Sequence, residues 1–218
     1  MADNKIQVGM ITLGMIATNC YYLFRENSED SEGYLHCIFV DPADEGERIY
    51  NALEEKKIKV DLILLTHGHF DHIGGVKELK ELTGAEVGCY VKELALCKDP
   101  YLNCGNDYGL NVTVTPDNLY EDGELITAAG MTGRLLATPG HTSGSCCFYY
   151  EEDGILISGD TLFEESIGRT DFPTGSTSEL INSVKEKLFC LPDETIVYPG
   201  HGELTTIGHE KLYNPFII

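Results

Sequence analysis

Thr66-His67-Gly68-His69-Phe70-Asp71-His72 places four metal-capable side chains within six residues. Directly before it, Val60-Asp61-Leu62-Ile63-Leu64-Leu65 is an apolar run of strand length. Directly after it, Ile73, Val76 and Leu79 recur at helical spacing as far as Gly84. The cluster therefore occupies a short loop between a buried strand and a helix over 73–82. With Gly68 between them in an extended loop, His67 and His69 aim two imidazoles at one point. Asp71 and His72 sit one step further on and aim at a neighbouring point. The chain has seven histidines in 218 residues, so three within six positions is a concentration that chance does not readily produce. The stretch reads as a metal-binding loop.

Three later strand ends carry the same punctuation. Leu135-Leu136-Ala137-Thr138 runs into Pro139-Gly140-His141, Ile155-Leu156-Ile157-Ser158 into Gly159-Asp160, and Thr195-Ile196-Val197-Tyr198 into Pro199-Gly200-His201. Each apolar run ends in a glycine or proline turn followed at once by a metal-capable residue. If the strands lie in neighbouring sheets, these ends meet at one edge, where sheet proteins gather their ligand sites. The candidate ligands are then His67, His69, Asp71, His72, His141, Asp160 and His201. Five imidazoles and two carboxylates exceed the needs of one tetrahedral zinc. They suit two divalent ions roughly 3.5–4 Å apart, with Asp160 as the bridge because a carboxylate has two oxygens. Zinc comes first among the metals, with iron and manganese left open. A structural site is usually closed and rich in cysteine, so this one reads as catalytic. His36 lies in a strand pattern and reads as structural. His209 reads either as an orienting partner for a ligand or as a surface helix residue.

Composition narrows the class. Hydrophobic content of 42% and charged content of 23% fit an ordinary soluble globular chain. No apolar run approaches the roughly 18–20 residues of a membrane span. Met1-Ala2-Asp3-Asn4-Lys5 lacks the basic-then-apolar pattern of a signal peptide, so a cytoplasmic protein is expected. Fifteen basic against 36 acidic residues give a net charge of −21, which argues against nucleic acid or an anionic membrane as partner and for a small molecule. Oligomeric state is not legible. The eight cysteines form no Cys-x-x-Cys pair and read as reduced, small hydrophobes, with Cys97 and Cys104 in a loop that could expose them.

Along the chain, residues 6–24 read as one or two strands turning near Gly14, and Tyr34–Val40 as another, ended by Asp41-Pro42. Asp44–Lys57 reads as a helix, Glu86–Tyr90 as a short strand and Val91–Cys97 as a short helix. Residues 98–120 show no period and form either a lid or pocket wall or a plain connection. Strands return near 124–128, 131–137, 145–150 and 155–158, followed by a loop over 163–175. A helix then opens on a capping box of Ser176 and Glu179, and Thr195–Tyr198 is the last strand. With no repeat and no linker, residues 1–218 are expected to form one domain.

Thr-His-Gly-His-Phe-Asp-His at 66–72, with His141, Asp160 and His201 at these spacings, resembles the metallo-β-lactamase superfamily over nearly the whole chain. The resemblance implies an α/β fold, an αβ/βα four-layer sandwich of two mixed sheets with outer helices. It implies that His67, His69 and His141 hold one metal, that Asp71, His72 and His201 hold the other, and that Asp160 bridges. The Ser158-Gly159-Asp160-Thr161-Leu162-Phe163 and Ile167-Gly168-Arg169-Thr170-Asp171-Phe172 segments are similar to the glyoxalase II-like branch. The classical enzyme's C-terminal helical domain is not expected here. That branch implies hydrolysis of thioesters of the S-lactoylglutathione type by a metal-bridged hydroxide, with Asp71 and Asp160 catalytic. Arg169 would either contact a substrate carboxylate or pair with Asp171 or Glu165. Persulfide dioxygenases share Gly-Arg-Thr-Asp-Phe and use one iron, which gives the alternative reading. Lactone or phosphodiester hydrolysis on the same site is a further one.

Overall fold

The computed structural model describes residues 5–217. Met1 to Asn4, part of the stretch read against a signal peptide, and Ile218 lie outside the described residues. Two six-stranded sheets form the frame. The first runs in the order β1 (Ile6–Leu13), β2 (Thr18–Arg25), β3 (Leu35–Val40), β4 (Ile58–Leu65), β5 (Glu86–Tyr90) and β6 (Asn118–Tyr120). The second contains β7 (Leu125–Ala128), β8 (Met131–Ala137), β9 (Cys146–Tyr150), β10 (Ile155–Gly159), β13 (Ile196–Pro199) and β14 (Thr205–Thr206), in the spatial order β14-β13-β10-β9-β8-β7. Both are mixed: β3, β4, β5 and β6 pair in parallel and β10 pairs in parallel with β13, while the other pairs are antiparallel. A small hairpin of β11 (Leu162–Phe163) and β12 (Ser166–Ile167) stands beside them.

The period of two along the strands sorts side chains between layers. In β3, Ile38 and Val40 face the second sheet, where Leu135, Phe148, Tyr150 and Ile157 meet them. Cys37 and Phe39 face the opposite way. They pack under α1 (Gly46–Glu55) and α3 (Val76–Thr83) through Ile49, Leu53, Val76 and Leu79. Beyond the second sheet, Cys147, Leu156 and Val197 pack against Val184, Leu188 and Ile207, from the helical segment opening with α5 (Thr177–Ser183) and from α6 (Ile207–Tyr213). The layers are helix, sheet, sheet, helix, the sandwich expected.

Several boundaries differ from the sequence expectation. The helix expected over 73–82 is two pieces, α2 (Phe70–Ile73) and α3, separated by Gly74-Gly75. A β-carbon on Gly74 would lie 2.3 Å from the Ala43 carbonyl oxygen, so the chain breaks where two backbones touch. The short helix after β5 is a 3₁₀ turn over Val91–Glu93 followed by α4 (Leu94–Lys98). Residues 98–120 contain a 3₁₀ turn over Gly105–Tyr108 and the edge strand β6. Ser176 does cap α5, its hydroxyl accepting from the Glu179 N–H at 3.4 Å. Seven cysteines are buried, including Cys97 and Cys104, which the sequence reading allowed to be exposed; Cys190 is the exposed one. The Asn103 carbonyl accepts from Phe70 N, which folds the Cys104 segment down against the metal loop. Among the described residues no helix is long and apolar enough to cross a membrane.

Candidate metal centre

The quoted loop leaves β4 at the edge where β9 begins, and Cys146 N donates to the Thr66 carbonyl at 2.9 Å to join the two sheets there. The strand ends at His141, Asp160 and His201 arrive at this same edge. His67, His69 and His141 form one group and Asp71, His72 and His201 a second, with the ligand atoms of each within 4.8 Å of one another. Asp160 lies between them. Its Oδ2 is 3.5 Å from His141 Nε2 and 3.6 Å from His201 Nε2, and its Oδ1 is 3.4 Å from His72 Nε2. All seven expected side chains are therefore brought together.

Hydrogen bonds fix the imidazole tautomers, because each ring's outer nitrogen decides what its inner one carries. His141 Nδ1 donates to the Arg169 carbonyl at 2.7 Å, which leaves Nε2 with a lone pair. The Thr66 hydroxyl donates to Asp41 Oδ2 at 2.6 Å, so at 3.1 Å it accepts from His67 Nδ1 and leaves His67 Nε2 with a lone pair. These two Nε2 atoms are 3.2 Å apart, and two lone pairs cannot hydrogen-bond each other. His69 Nδ1 is 2.9 Å from His141 Nε2 and completes the convergence. His72 Nδ1 donates to Asp41 Oδ2 at 2.9 Å, which turns Nε2 toward Asp71 and Asp160.

The electrostatics divide the centre in two. Burial, reinforced by the neighbouring rings of His72, His141 and His69, holds His67 well below the usual imidazole range. Burial and His141 take His69 down to about 3, and burial lowers His141 as well. This triad is neutral and offers lone pairs. Burial also opposes charge on His72, but the carboxylates of Asp160, Asp71 and Asp41 outweigh it and hold the ring well above its ordinary value. Burial pushes the Asp71 carboxyl up, yet His72 and His201 prevail and bring it to about 2; Asp160 is lowered for the same reason. The second half attracts a cation, whether a proton on His72 or a metal ion in its place.

The donor set fits divalent metal. His72 Nε2 and Asp160 Oδ1 are buried without a hydrogen-bond partner, and buried polar atoms are rarely left so. The turn at His201 is shaped to the same end, because a β-carbon on Gly200 would lie 2.2 Å from Asp160 Oδ1. Asn19 holds that turn from β2 by donating to the backbone there: its N–H reaches the Gly200 carbonyl at 2.8 Å and its Nδ2 the Pro199 carbonyl at 3.1 Å. Thr18 donates to Asp71 Oδ2 at 3.0 Å. Asp41, His67 and His72 form a third close group, but the Asp41 oxygens already accept from Thr66 N, Thr66 Oγ1 and His72 Nδ1. Asp41 instead fixes Thr66 and the His72 ring in place.

A cavity of about 830 Å³ opens over the centre. Met15, Ile16, Phe70, Phe163, Ile167 and Phe172 give it an apolar wall, and Cys104, Asp107 and Tyr108 bring residues 98–120 into that wall. Arg169 also lines it, but its guanidinium is engaged twice: Asp171 accepts at 2.9 and 2.7 Å, and the Phe172 ring lies 4.1 Å below. Of the two partners open to Arg169 in the sequence, Asp171 is the one observed. His36 pairs with Asp61 and Asp30, and His209, on the C-terminal helix, pairs with Glu165 in the β11–β12 turn, so neither reaches the centre. Asp41 was not singled out in the sequence. Asp41 did carry the strand-end signature, in Val40-Asp41-Pro42.

A profile of the Metallo-beta-lactamase superfamily matches residues 18–201. The chain belongs to that superfamily of divalent-metal proteins. It is 38% identical to hydroxyacylglutathione hydrolase GloC of Haemophilus influenzae over 84% of this chain and 87% of that one. Among solved structures, BLEG-1 B3 metallo-beta-lactamase superposes with a TM-score of 0.89 at 36% identity, covering 97% of this chain and 99% of that one. A di-iron-bound form of TTHA1623 superposes at 0.82 with 35% identity, covering 95% and 99%.

Proposed function

We propose that this protein is a binuclear metallohydrolase acting on thioesters of the S-lactoylglutathione type, from a single two-sheet domain. The observation that carries the reading is Asp160, whose two oxygens face His141 of one ligand group and His72 and His201 of the other. In this reading His67, His69 and His141 would hold one ion and Asp71, His72 and His201 the other, with Asp160 as a ligand available to both. Zinc is the first expectation. The iron bound by TTHA1623, a relative with 35% identity, keeps iron in the panel. Likeness to the Haemophilus hydrolase supports the thioester class.

Divalent metal held by these residues would supply Lewis acidity, which lowers the pKa of a water from about 15.7 toward about 7. Hydrolysis then adds OH to the acyl carbon and a proton to sulfur as the C–S bond breaks. Asp71, kept ionised by His72 and His201, is placed to accept the proton of the attacking water. The apolar wall excludes bulk water and holds the acyl chain. Arg169, fixed by Asp171 and Phe172, presents its remaining N–H groups to a substrate carboxylate.

The test is a metal count on the purified protein, followed by a panel of thioester, β-lactam, lactone and phosphodiester substrates and an oxygen-uptake assay with glutathione persulfide. Two ions per chain with fastest turnover of the thioester is the expected result. His69→Ala and Asp160→Ala lose metal and activity together, by at least about a hundredfold. Full S-lactoylglutathione hydrolysis by a metal-free His69→Ala protein, or a single iron with oxygen uptake, overturns the reading.

A further inference from the structure

Behind the ligand loops lies a carboxylate that touches no ligand atom. Glu93 ends the 3₁₀ turn after β5 and is fully buried. Its Oε1 accepts from Gly68 N at 2.8 Å and from the Thr142 hydroxyl at 3.0 Å, and the same hydroxyl lies 2.9 Å from Oε2. Gly144 N–H is a further donor to it. Gly68 separates His67 from His69 at the end of β4 in the first sheet. Thr142 follows His141 in the turn between β8 and β9 of the second. One side chain thus holds the two turns that carry the neutral histidine triad.

The network is directional. The single hydroxyl proton of Thr142 goes to Glu93, so the Ser145 hydroxyl, 2.7 Å away, donates to Thr142 Oγ1. Ser145 Oγ in turn accepts from Thr142 N at 3.0 Å. The packing is close: a β-carbon on Gly144 would lie 2.4 Å from both Glu93 N and Glu93 Oε2. A carboxylate buried among N–H and O–H donors, with no cation at hand, is costly to keep. Here the donors it gathers are the backbone of one ligand turn and the hydroxyl of the other.

We propose that Glu93 is a positioning residue that sets the distance between the His67-Gly68-His69 turn and the His141 turn. It thereby tunes the metal affinity of that half of the centre. The proposal rests on the ligand assignment given above. Gly68 has no side chain to anchor it, so its peptide orientation is fixed by what its N–H meets, and that peptide sets the His67 and His69 rings. The convergence of three nitrogens at 2.9 and 3.2 Å depends on both turns being held at once.

The experiment compares wild type, Glu93→Gln and Glu210→Gln, each full-length and loaded with cobalt(II), by chelator competition, visible absorption and Tm. Glutamine keeps the volume of Glu93 but turns an N–H₂ group toward donors, so the chain folds with the turns displaced. Glu210 is a matched control: it is equally buried, and it accepts from Thr205, Glu165 N and Asn214 around the C-terminal helix. Glu93→Gln is expected to release one of the two ions at a chelator concentration about 10–100-fold lower than wild type, with a changed cobalt spectrum. The second ion is held as in wild type. Glu210→Gln lowers Tm but leaves both metal affinities in place. Wild-type affinity for both ions in Glu93→Gln refutes the proposal, as does equal weakening by Glu210→Gln. If wild type itself holds no more metal than His67→Ala, the ligand assignment has failed and the proposal falls with it.

Discussion

A histidine outside the centre shows what the residue does when its hydrogen-bond partners are carboxylates. His36 Nδ1 lies 2.6 Å from Asp61 and Nε2 3.4 Å from Asp30. The Asp61 hydrogen bond, opposed by partial burial, raises its pKa above the ordinary value. A folded-state pKa above the unfolded value of about 6.5 gives stability that is full below that pH and is lost as pH rises through the folded value. The ring is 33% exposed, so solvent screening limits the gain to about 0.5 kcal/mol. The Tm difference between wild type and His36→Gln is expected to be largest near about pH 5.5 and to close at higher pH; a difference that widens with pH contradicts it. The sequence separated this histidine from the five at the centre because those five follow glycine, proline or the metal loop, whereas His36 sits inside an alternating strand. Glu93 carried no such mark. It stands in Val91-Lys92-Glu93-Leu94 like any surface glutamate, and its burial comes from the Gly68 turn and the Thr142–Gly144 turn meeting at its carboxylate.

Among elements, the parallel pair β3 and β4 does most to place the centre. Asp41 N donates to the Leu64 carbonyl at 3.0 Å, so the chain leaving β3 is registered on the end of β4, where Thr66 begins the metal loop. Asp41 then takes a left-handed conformation, φ 52°, and returns its carboxylate to Thr66 and His72. Asparagine tolerates that conformation but exchanges one acceptor oxygen for N–H₂, which faces existing donors. Asp41→Asn is therefore expected to loosen His72 and to weaken metal binding by about 10–100-fold with the fold retained. Unchanged metal affinity at unchanged Tm would remove Asp41 from the centre's support. The long apolar strands were legible because each buries both faces or alternates cleanly. The strands β6, β11, β12 and β14, of two or three residues, were not: they are made by their partners and have no period of their own. The Gly74-Gly75 break was hidden for a related reason, since Ile73, Val76 and Leu79 keep helical spacing across it.

For the molecule as a whole, the charge of −21 and the wall of the cavity act together on the choice of substrate. Outside the ligands, the cavity lining offers Arg169 against Asp107, and Arg169 is already paired with Asp171. Divalent metal at the centre would offset the negative potential only near the reacting bond. A thiol bearing several phosphates must carry them past the rim, into the field of the acidic surface, with one engaged guanidinium to meet them. A thiol of low charge meets Met15, Ile16, Phe163 and Phe172 without that penalty. With the lactoyl group held constant, kcat/KM is expected to be similar for the N-acetylcysteamine and glutathione thioesters. For the coenzyme A thioester it should be lower by about tenfold or more at low salt. Because the discrimination is long-range repulsion, added salt at about 0.15 M or above should narrow it by raising the coenzyme A value. A steric origin predicts the same ranking with no salt dependence, and preference for coenzyme A at low salt would show that the wall carries a cationic path these side chains do not provide.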